Sequence, residues 1–365
     1  MNEPCLKLTA YFGERQPAVS DGVRPGFLAD AMLNLFGGND VATSVMLRGI
    51  ASFGPRHVLR TDESLSLSEN PPVVVAAVDV ESKITGLVDE VIAMTARGLV
   101  TLERARLANG GVDLAALGDS YEGNGVKLTV YVGRQERAAG MPAYRTVCEL
   151  LYRRGFAGAA VFLGVDGTAH GDRYRARFFS RNVNVPLMII SIGTAAQVSA
   201  AVAELTAALP NPLVTVERVR ICKRDGELFT RPQRLPTTDD HGRSLWQKLM
   251  VHTSEATGHG GLPIHRALVR RLLESGMARG ATVLRGIWGF HGEHKPHGDK
   301  LFQLARRVPV VTIIIDRPEW IVRSFDIVNE LTAGHGLVTS EMVPAVVSID
   351  GLRHCGGTRL ARYDY

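Results

Sequence analysis

The feature that most constrains this chain is an internal threefold repeat. Strand-like segments opening with lysine recur at near-even spacing: Lys7-Leu8-Thr9-Ala10-Tyr11, Lys127-Leu128-Thr129-Val130-Tyr131 and Lys248-Leu249-Met250-Val251-His252. A glycine- or proline-bearing helix entry follows each, at Arg24-Pro25-Gly26, Gly140-Met141-Pro142 and Gly261-Leu262-Pro263. The third anchor reads Val45-Met46-Leu47-Arg48-Gly49-Ile50, Val161-Phe162-Leu163-Gly164-Val165 and Thr282-Val283-Leu284-Arg285-Gly286-Ile287. Pro72, Pro186 and Pro309 each open an apolar run, and Leu99-Val100-Thr101, Leu213-Val214-Thr215 and Leu337-Val338-Thr339 close the unit. Five anchors in one order, three times over, mark tandem copies of one supersecondary unit of domain size. The expected boundaries are repeats at 1–108, 126–223 and 246–350, with linkers at 109–125 and 224–245. The tail, 351–365, has little pattern and is expected to be loose.

Within a copy the pattern reads strand, helix, strand, long loop, strand, helix, strand. In the second copy this places strands near 126–133, 158–165, 185–192 and 214–222, and helices near 142–154 and 194–208. Val147, Leu150, Leu151 and Arg154 keep helical spacing, and Gly155 ends that helix. The order is that of an α+β, split βαβ, ferredoxin-like module. A sheet with helices on one face should alternate apolar and polar residues, yet Val73-Val74-Val75-Ala76-Ala77-Val78 and Val310-Val311-Thr312-Ile313-Ile314-Ile315 are nearly all apolar. Such strands are buried on both faces. Three ferredoxin-like modules turning their free faces to a common axis, as an intramolecular pseudo-trimer, would cover them; packing of two sheets would satisfy the same constraint. The expected molecule is a monomer.

Composition narrows the setting. The four cysteines, Cys5, Cys148, Cys222 and Cys355, lie far apart with no C-x-x-C pair, which argues for a reducing cytoplasm. The runs Pro71–Val78 and Val308–Ile315 are far shorter than the roughly 20 residues of a membrane span, so no membrane insertion is expected. A net charge of +5 permits an anionic ligand without demanding one.

The opening Lys-Leu strand with Tyr11, Gly13 and Glu14, the Gly-x-Pro helix entry, Leu-Arg-Gly-Ile, the Pro-Val-Val strand and the closing Gly-Leu-Val-Thr (Gly98 to Thr101, Gly336 to Thr339) together resemble the bacterial family called domain of unknown function 190. That family is similar in fold to the PII nitrogen-regulatory proteins. The resemblance implies a module that assembles in threes and binds a small anionic ligand, such as an adenine nucleotide, in clefts between modules. It also implies a loop between the second and third strands that engages a membrane transporter or enzyme, with fluoride export as a family-context hint. No enzymatic activity and no cofactor are implied. Repeat two departs most, with Leu163 in place of the arginine and Gly193 where Asp79 and Asp316 stand.

Among chemistry-bearing residues, Arg48 and Arg285 precede Gly49 and Gly286 at strand ends. An arginine beside a glycine that admits a ligand to the backbone suits phosphate or carboxylate; a surface or inter-repeat salt bridge is the alternative. Lys7, Lys127 and Lys248 recur on the first strand, as ligand-binding cations, as a solvated strand edge, or as members of salt bridges. The loop of repeat two carries Arg173, Arg175, Arg177 and Arg181 around Tyr174, Phe178 and Phe179, which reads as a nucleic-acid or headgroup surface or as a strand with one charged face. Nucleic acid is the less favoured partner. His291, His294 and His297 stand three apart, but without nearby cysteine, and with Pro296 breaking a helix, they point to a polar loop rather than a metal site. Walker, G-x-G-x-x-G, H-E-x-x-H and G-x-S-x-G motifs are absent. A ligand sensor leads; a metal-binding protein or uncharacterised enzyme, or a nucleic-acid binder acting through the arginine-rich loop, are the alternatives.

Overall fold

The computed structural model describes residues 2–19, 26–61, 70–108, 123–169, 171–175, 185–210, 212–292, 294–298 and 308–363. Repeat one supplies β1 (Asn2–Gly13), α1 (Leu28–Gly38), β2 (Thr43–Phe53), β3 (Pro72–Val80), α2 (Glu81–Met94) and β4 (Arg97–Ala108). Repeat two supplies β5 (Asn124–Gly133), α3 (Ala143–Arg153), β6 (Gly158–Leu163), β7 (Asp166–Ala169), β8 (Pro186–Gly193), α4 (Ala195–Ala208) and β9 (Leu213–Arg224). Repeat three supplies β10 (Trp246–Ser254), α5 (Ile264–Ser275), β11 (Ala281–Arg285), β12 (Trp288–His291), β13 (Pro309–Asp316), α6 (Pro318–Leu331) and β14 (Leu337–Val343), followed by β15 (Ala345–Asp350) and β16 (Arg353–Gly357). Two-residue strands are left unlabelled. The result is a mixed α/β molecule with six helices among the described residues.

Local signals act as the sequence predicts. Pro142 and Pro263 stand at the N-caps of α3 and α5. Gly155 takes φ 71° just past α3, a left-handed stop that a side chain would resist. Thr194 and Gln197 form a capping box at the start of α4.

Inside every repeat the strands pair antiparallel in the order fourth, first, third, second. In repeat one β1 lies between β4 and β3, with β2 beyond β3. Repeats two and three follow the same order. The repeats do not merely stack; they join edge to edge into one continuous sheet. The segment two residues past each repeat glycine crosses to the neighbouring second strand: Ala51 pairs with Val283, Asp166 with Met46, and Trp288 with Val161. Each partner sits three residues before its own repeat glycine, so the three seams share one register and run cyclically from one to three, three to two and two to one. The fourth strands make a second ring, with β9 paired to β4 and to β14, and β15 paired back to β4.

The third strands are buried on both faces. Val73, Val75 and Ala77 pack under the helices of repeat one, while Val74, Ala76 and Val78 enter a central core. That core also takes Phe162, Met188 and Ile190 from repeat two and Met250, Val311 and Ile313 from repeat three.

The tail and second linker are more ordered than their composition suggests. Strand β16 pairs with β15, the Ala361 N–H donates to the Pro344 carbonyl, and the Arg362 N–H donates to Asp239 Oδ2. Asp239 also accepts from the N–H groups of His241 and Arg243. One buried carboxylate therefore fastens tail and linker together, and three backbone donors with the Arg243 guanidinium hold it far below the usual carboxylate range. Of the linker at 109–125, residues 109–122 lie outside the described residues.

Candidate functional site

The recurrent lysines occupy the molecular axis. Lys7, Lys127 and Lys248 are all buried, as are Glu103, Glu217 and Glu341. Lys7 Nζ lies 2.6 Å from Glu217 and 3.4 Å from Glu103. Lys127 Nζ lies 2.7 Å from Glu217 and also pairs with Glu341. Lys248 pairs with Glu103 and lies 3.1 Å from Glu341. Each lysine thus bridges the glutamate of its own repeat and that of a neighbour, closing a neutral ring of six alternating charges. Of the two structural readings of these lysines, a solvated strand edge or a salt bridge, the structure builds the second. They are consumed by carboxylates, and no anion has a free charge to meet there.

Arg48 and Arg285 are also engaged. Arg48 Nε donates to Glu14 Oε1 at 2.8 Å, and Arg285 Nη2 donates to Glu255 Oε1 at 2.6 Å. Repeat two has lost both members together, with Leu163 and Arg134 at the equivalent positions. The paired glycines serve the seam. A Cβ on Gly49 would lie 2.9 Å from the Val283 carbonyl oxygen, and one on Gly286 would lie 3.0 Å from that of Val161. What comes close to the backbone here is the neighbouring repeat.

Two cavities lie where repeats meet. The first, about 290 Å³, opens between repeats three and one. Its walls come from the end of β1, the loop after β2, β11 and β13. Arg56, Arg60, Arg97 and Arg279 line it, with Asp316 and Asp350. Arg56 Nη2 donates to Asp350 at 2.9 Å and Arg97 Nε at 3.1 Å, which holds that carboxyl below its usual range. The second cavity, about 490 Å³, lies between repeats two and three and is bounded by β6, β8, the end of β10 and the loop after β12. His252, His291, His294, His297 and His335 line it with Lys295. The two cavities are equivalent under the repeat: His252 stands where Tyr11 does, and Gly336 where Gly98 does. At both glycines φ is positive, and a Cβ would strike the carbonyl of Tyr11 or His252 at under 3 Å. Repeat two has Pro212 there instead.

The seam between repeats one and two is closed by polar contacts. Ser44 Oγ and Thr168 Oγ1 are 2.7 Å apart. Arg173 reaches from the repeat-two loop to Asp166, and on to Asp30 and Asn34 of α1. Arg173 and Arg175 thus anchor the loop to repeat one; Arg177, Phe178, Phe179 and Arg181 lie outside the described residues. Arg48 and Arg285 line neither cavity; of the side chains that do, His291, His294 and His297 were singled out by their spacing, whereas Arg56, Arg60, Arg97, Arg279 and His335 were not. Among the described residues no group of three His, Cys, Asp or Glu is placed to hold a metal ion. No described helix is long and apolar enough to cross a membrane.

A family profile described as DUF190, Uncharacterized ACR, matches the chain three times, over residues 5–107, 125–221 and 246–345. A UPF0166 protein of Aquifex aeolicus (strain VF5) is 38% identical over 99 residues, which make up 27% of this chain and 90% of that protein. One repeat here therefore corresponds to nearly a whole relative. A crystal structure of aspartate kinase from Synechocystis is 10% identical with a TM-score of 0.21, covering 95% of this chain and 45% of that one; similarity that low carries no argument.

Proposed function

Because the chain belongs to the DUF190 family, and carries its domain three times, we propose that it is a PII-like ligand sensor: three ferredoxin-like modules fused into an intramolecular pseudo-trimer that binds a small anion between modules. The observation that carries this reading is the pair of equivalent cavities at two of the three seams. Each is walled by two repeats, so a ligand inside touches both and its binding energy is coupled to how they sit together. In each, one wall is the loop that follows the second strand, at Arg56 to Arg60 in repeat one and His294 to Gly298 in repeat three. A ligand that orders this loop changes the surface offered to a partner, which the family resemblance suggests is a transporter or enzyme. The walls carry cations and hydrogen-bonding groups but none of the familiar catalytic motifs, so binding without turnover is the expected behaviour.

Calorimetric titration with ATP, ADP, AMP, cyclic dinucleotides and S-adenosylmethionine tests this. At least one should bind, at no more than two sites per chain, without product formation. Arg279→Ala should weaken one site and His335→Ala the other. Binding by none of these ligands, or steady turnover of any, overturns the reading.

A further inference from the structure

The two cavities are built on the same frame but lined with different cations. Between repeats three and one the charge comes from four guanidinium groups against two carboxylates. Guanidinium stays protonated throughout the physiological range. Between repeats two and three the lining is five imidazoles and one ammonium group. Imidazole is the side chain whose charge changes between about pH 5 and 8. Resting on the reading of these clefts as anion sites, we propose that the cavity between repeats two and three is an anion site gated by histidine protonation, whereas its counterpart between repeats three and one draws its positive charge from guanidinium groups that keep it across that range.

The histidines have distinct parts in this. His252 lies on β10 at the inner wall, where burial foremost, then His291 and Lys127, push its imidazole down to about 3. It therefore stays neutral, and its Nε2, shielded from solvent, has no hydrogen-bond partner among the described residues. A neutral ring with an open nitrogen suits a hydrogen bond to a ligand rather than the charge that attracts one. His291, His294, His297 and His335 line the cavity from the loop after β12 and from the approach to β14. His291 Nε2 lies 2.7 Å from the Asp225 carboxylate, the acidic group drawn into this cluster. His297 Nδ1 lies 2.9 Å from the Lys295 carbonyl oxygen, which accepts its proton and sets the ring. The opposite walls, β6 and β8, contribute Gly158, Ala159, Ala160, Ile190, Ser191 and Ile192, none of which titrates. Lys295 supplies a constant positive charge, so the histidines set the variable part. An anion favours the protonated rings, so affinity is greatest at low pH and is lost as pH rises through the imidazole range.

Sulfate is the right probe, because its charge does not change over this range. Titrations at low ionic strength, where surface charge is least screened, should give two sulfate sites per chain near pH 5.5. Near pH 8 the site between repeats two and three should be about tenfold weaker or more, the effect of losing one nearby charge's worth of interaction. Replacing the two exposed histidines, as His294→Gln with His335→Gln, should weaken the site between repeats two and three near pH 5.5 and flatten its pH dependence. Arg60→Gln with Arg279→Gln should leave only the pH-dependent site. Two sites with the same pH dependence, or a pH dependence undiminished by the histidine replacements, overturns the gating while leaving the ligand reading in place. Absence of sulfate binding at every pH, in a chain that also binds none of the nucleotides, overturns both.

Discussion

At the scale of single residues, the six-charge ring dominates. Removing one charge from a buried pair leaves its partner unpaired in a dry interior, which costs about 3–5 kcal/mol, whereas replacing both partners with apolar groups is often neutral. Lys127 is the most deeply buried of the lysines. Lys127→Met should therefore destabilise strongly. Adding Glu217→Leu should restore much of the loss, because Lys7, Glu103, Lys248 and Glu341 still alternate. Urea unfolding of both single variants and the double closes a mutant cycle, and additive losses would contradict the ring. The pH response follows from the same geometry. Burial alone would raise the Glu103 carboxyl, but Lys248, Lys7 and Lys127 hold it well below the carboxylate range; Glu217 is lowered in the same way. A lowered carboxylate stabilises the fold above its unfolded pKa of about 4.3 and loses that contribution as pH falls further. Against burial, the glutamates raise Lys7 and Lys248, whose contribution is present below about pH 10.4 and is lost above it. Stability measured across pH should be greatest between roughly pH 7 and 10, with a loss below about pH 6.5 to which the buried neutral His252 contributes and a further acid limb that shrinks when Glu103 is replaced by Gln. The ring was half legible. Three lysines recurred, and so did Thr101-x-Glu103, Thr215-x-Glu217 and Thr339-x-Glu341. Equal numbers of recurring opposite charges on paired strands were the missed signal; a lysine among alternating residues reads as solvated until its partner is noticed.

At the scale of elements, the third strands were the most readable part. Their unbroken apolar run predicted burial on both faces, and Val74 and Val75 now lie in different cores. An aspartate at either place would be an unpaired charge in a dry environment, so Val74→Asp and Val75→Asp should both lower stability by several kcal/mol. A variant that melts like wild type would show that its face is wet. The second strands were legible in position but not in purpose. The glycines after Arg48 and Arg285 looked like openings for a ligand; they are the points where a neighbouring backbone crosses. Sequence pattern reports that space is needed, not what fills it. Another substitution becomes clear only in three dimensions. Asp79 and Asp316 each accept from the N–H just before the second strand, at Ala42 and Arg279. At Gly193 a Cβ would run into the ring of Phe156, 2.6 Å away, so repeat two fills with an aromatic the place the others give to a carboxylate.

At the scale of the whole molecule, three seams and a shared core are satisfied within one chain, so the protein should sediment as a monomer whose mass does not change on dilution. A stable trimer of chains in sedimentation equilibrium would contradict this. The threefold frame was legible from the anchors, whereas the difference between its clefts was not, because the spacing of His291, His294 and His297 does not tell that they meet His252 and His335 at a seam. The ring on the axis also has a bearing on synthesis. Lys7 leaves the ribosome long before Glu217, and Glu341 comes near the end of the chain. A nascent molecule with two finished repeats holds Lys127 without its second carboxylate and shows an open apolar face where the third repeat belongs. Its axis cannot close around matched charges until the last fourth strand arrives. A chain cut short before Glu341 lacks the carboxylate that Lys127 and Lys248 share, so it should close its axis less stably than the full ring does.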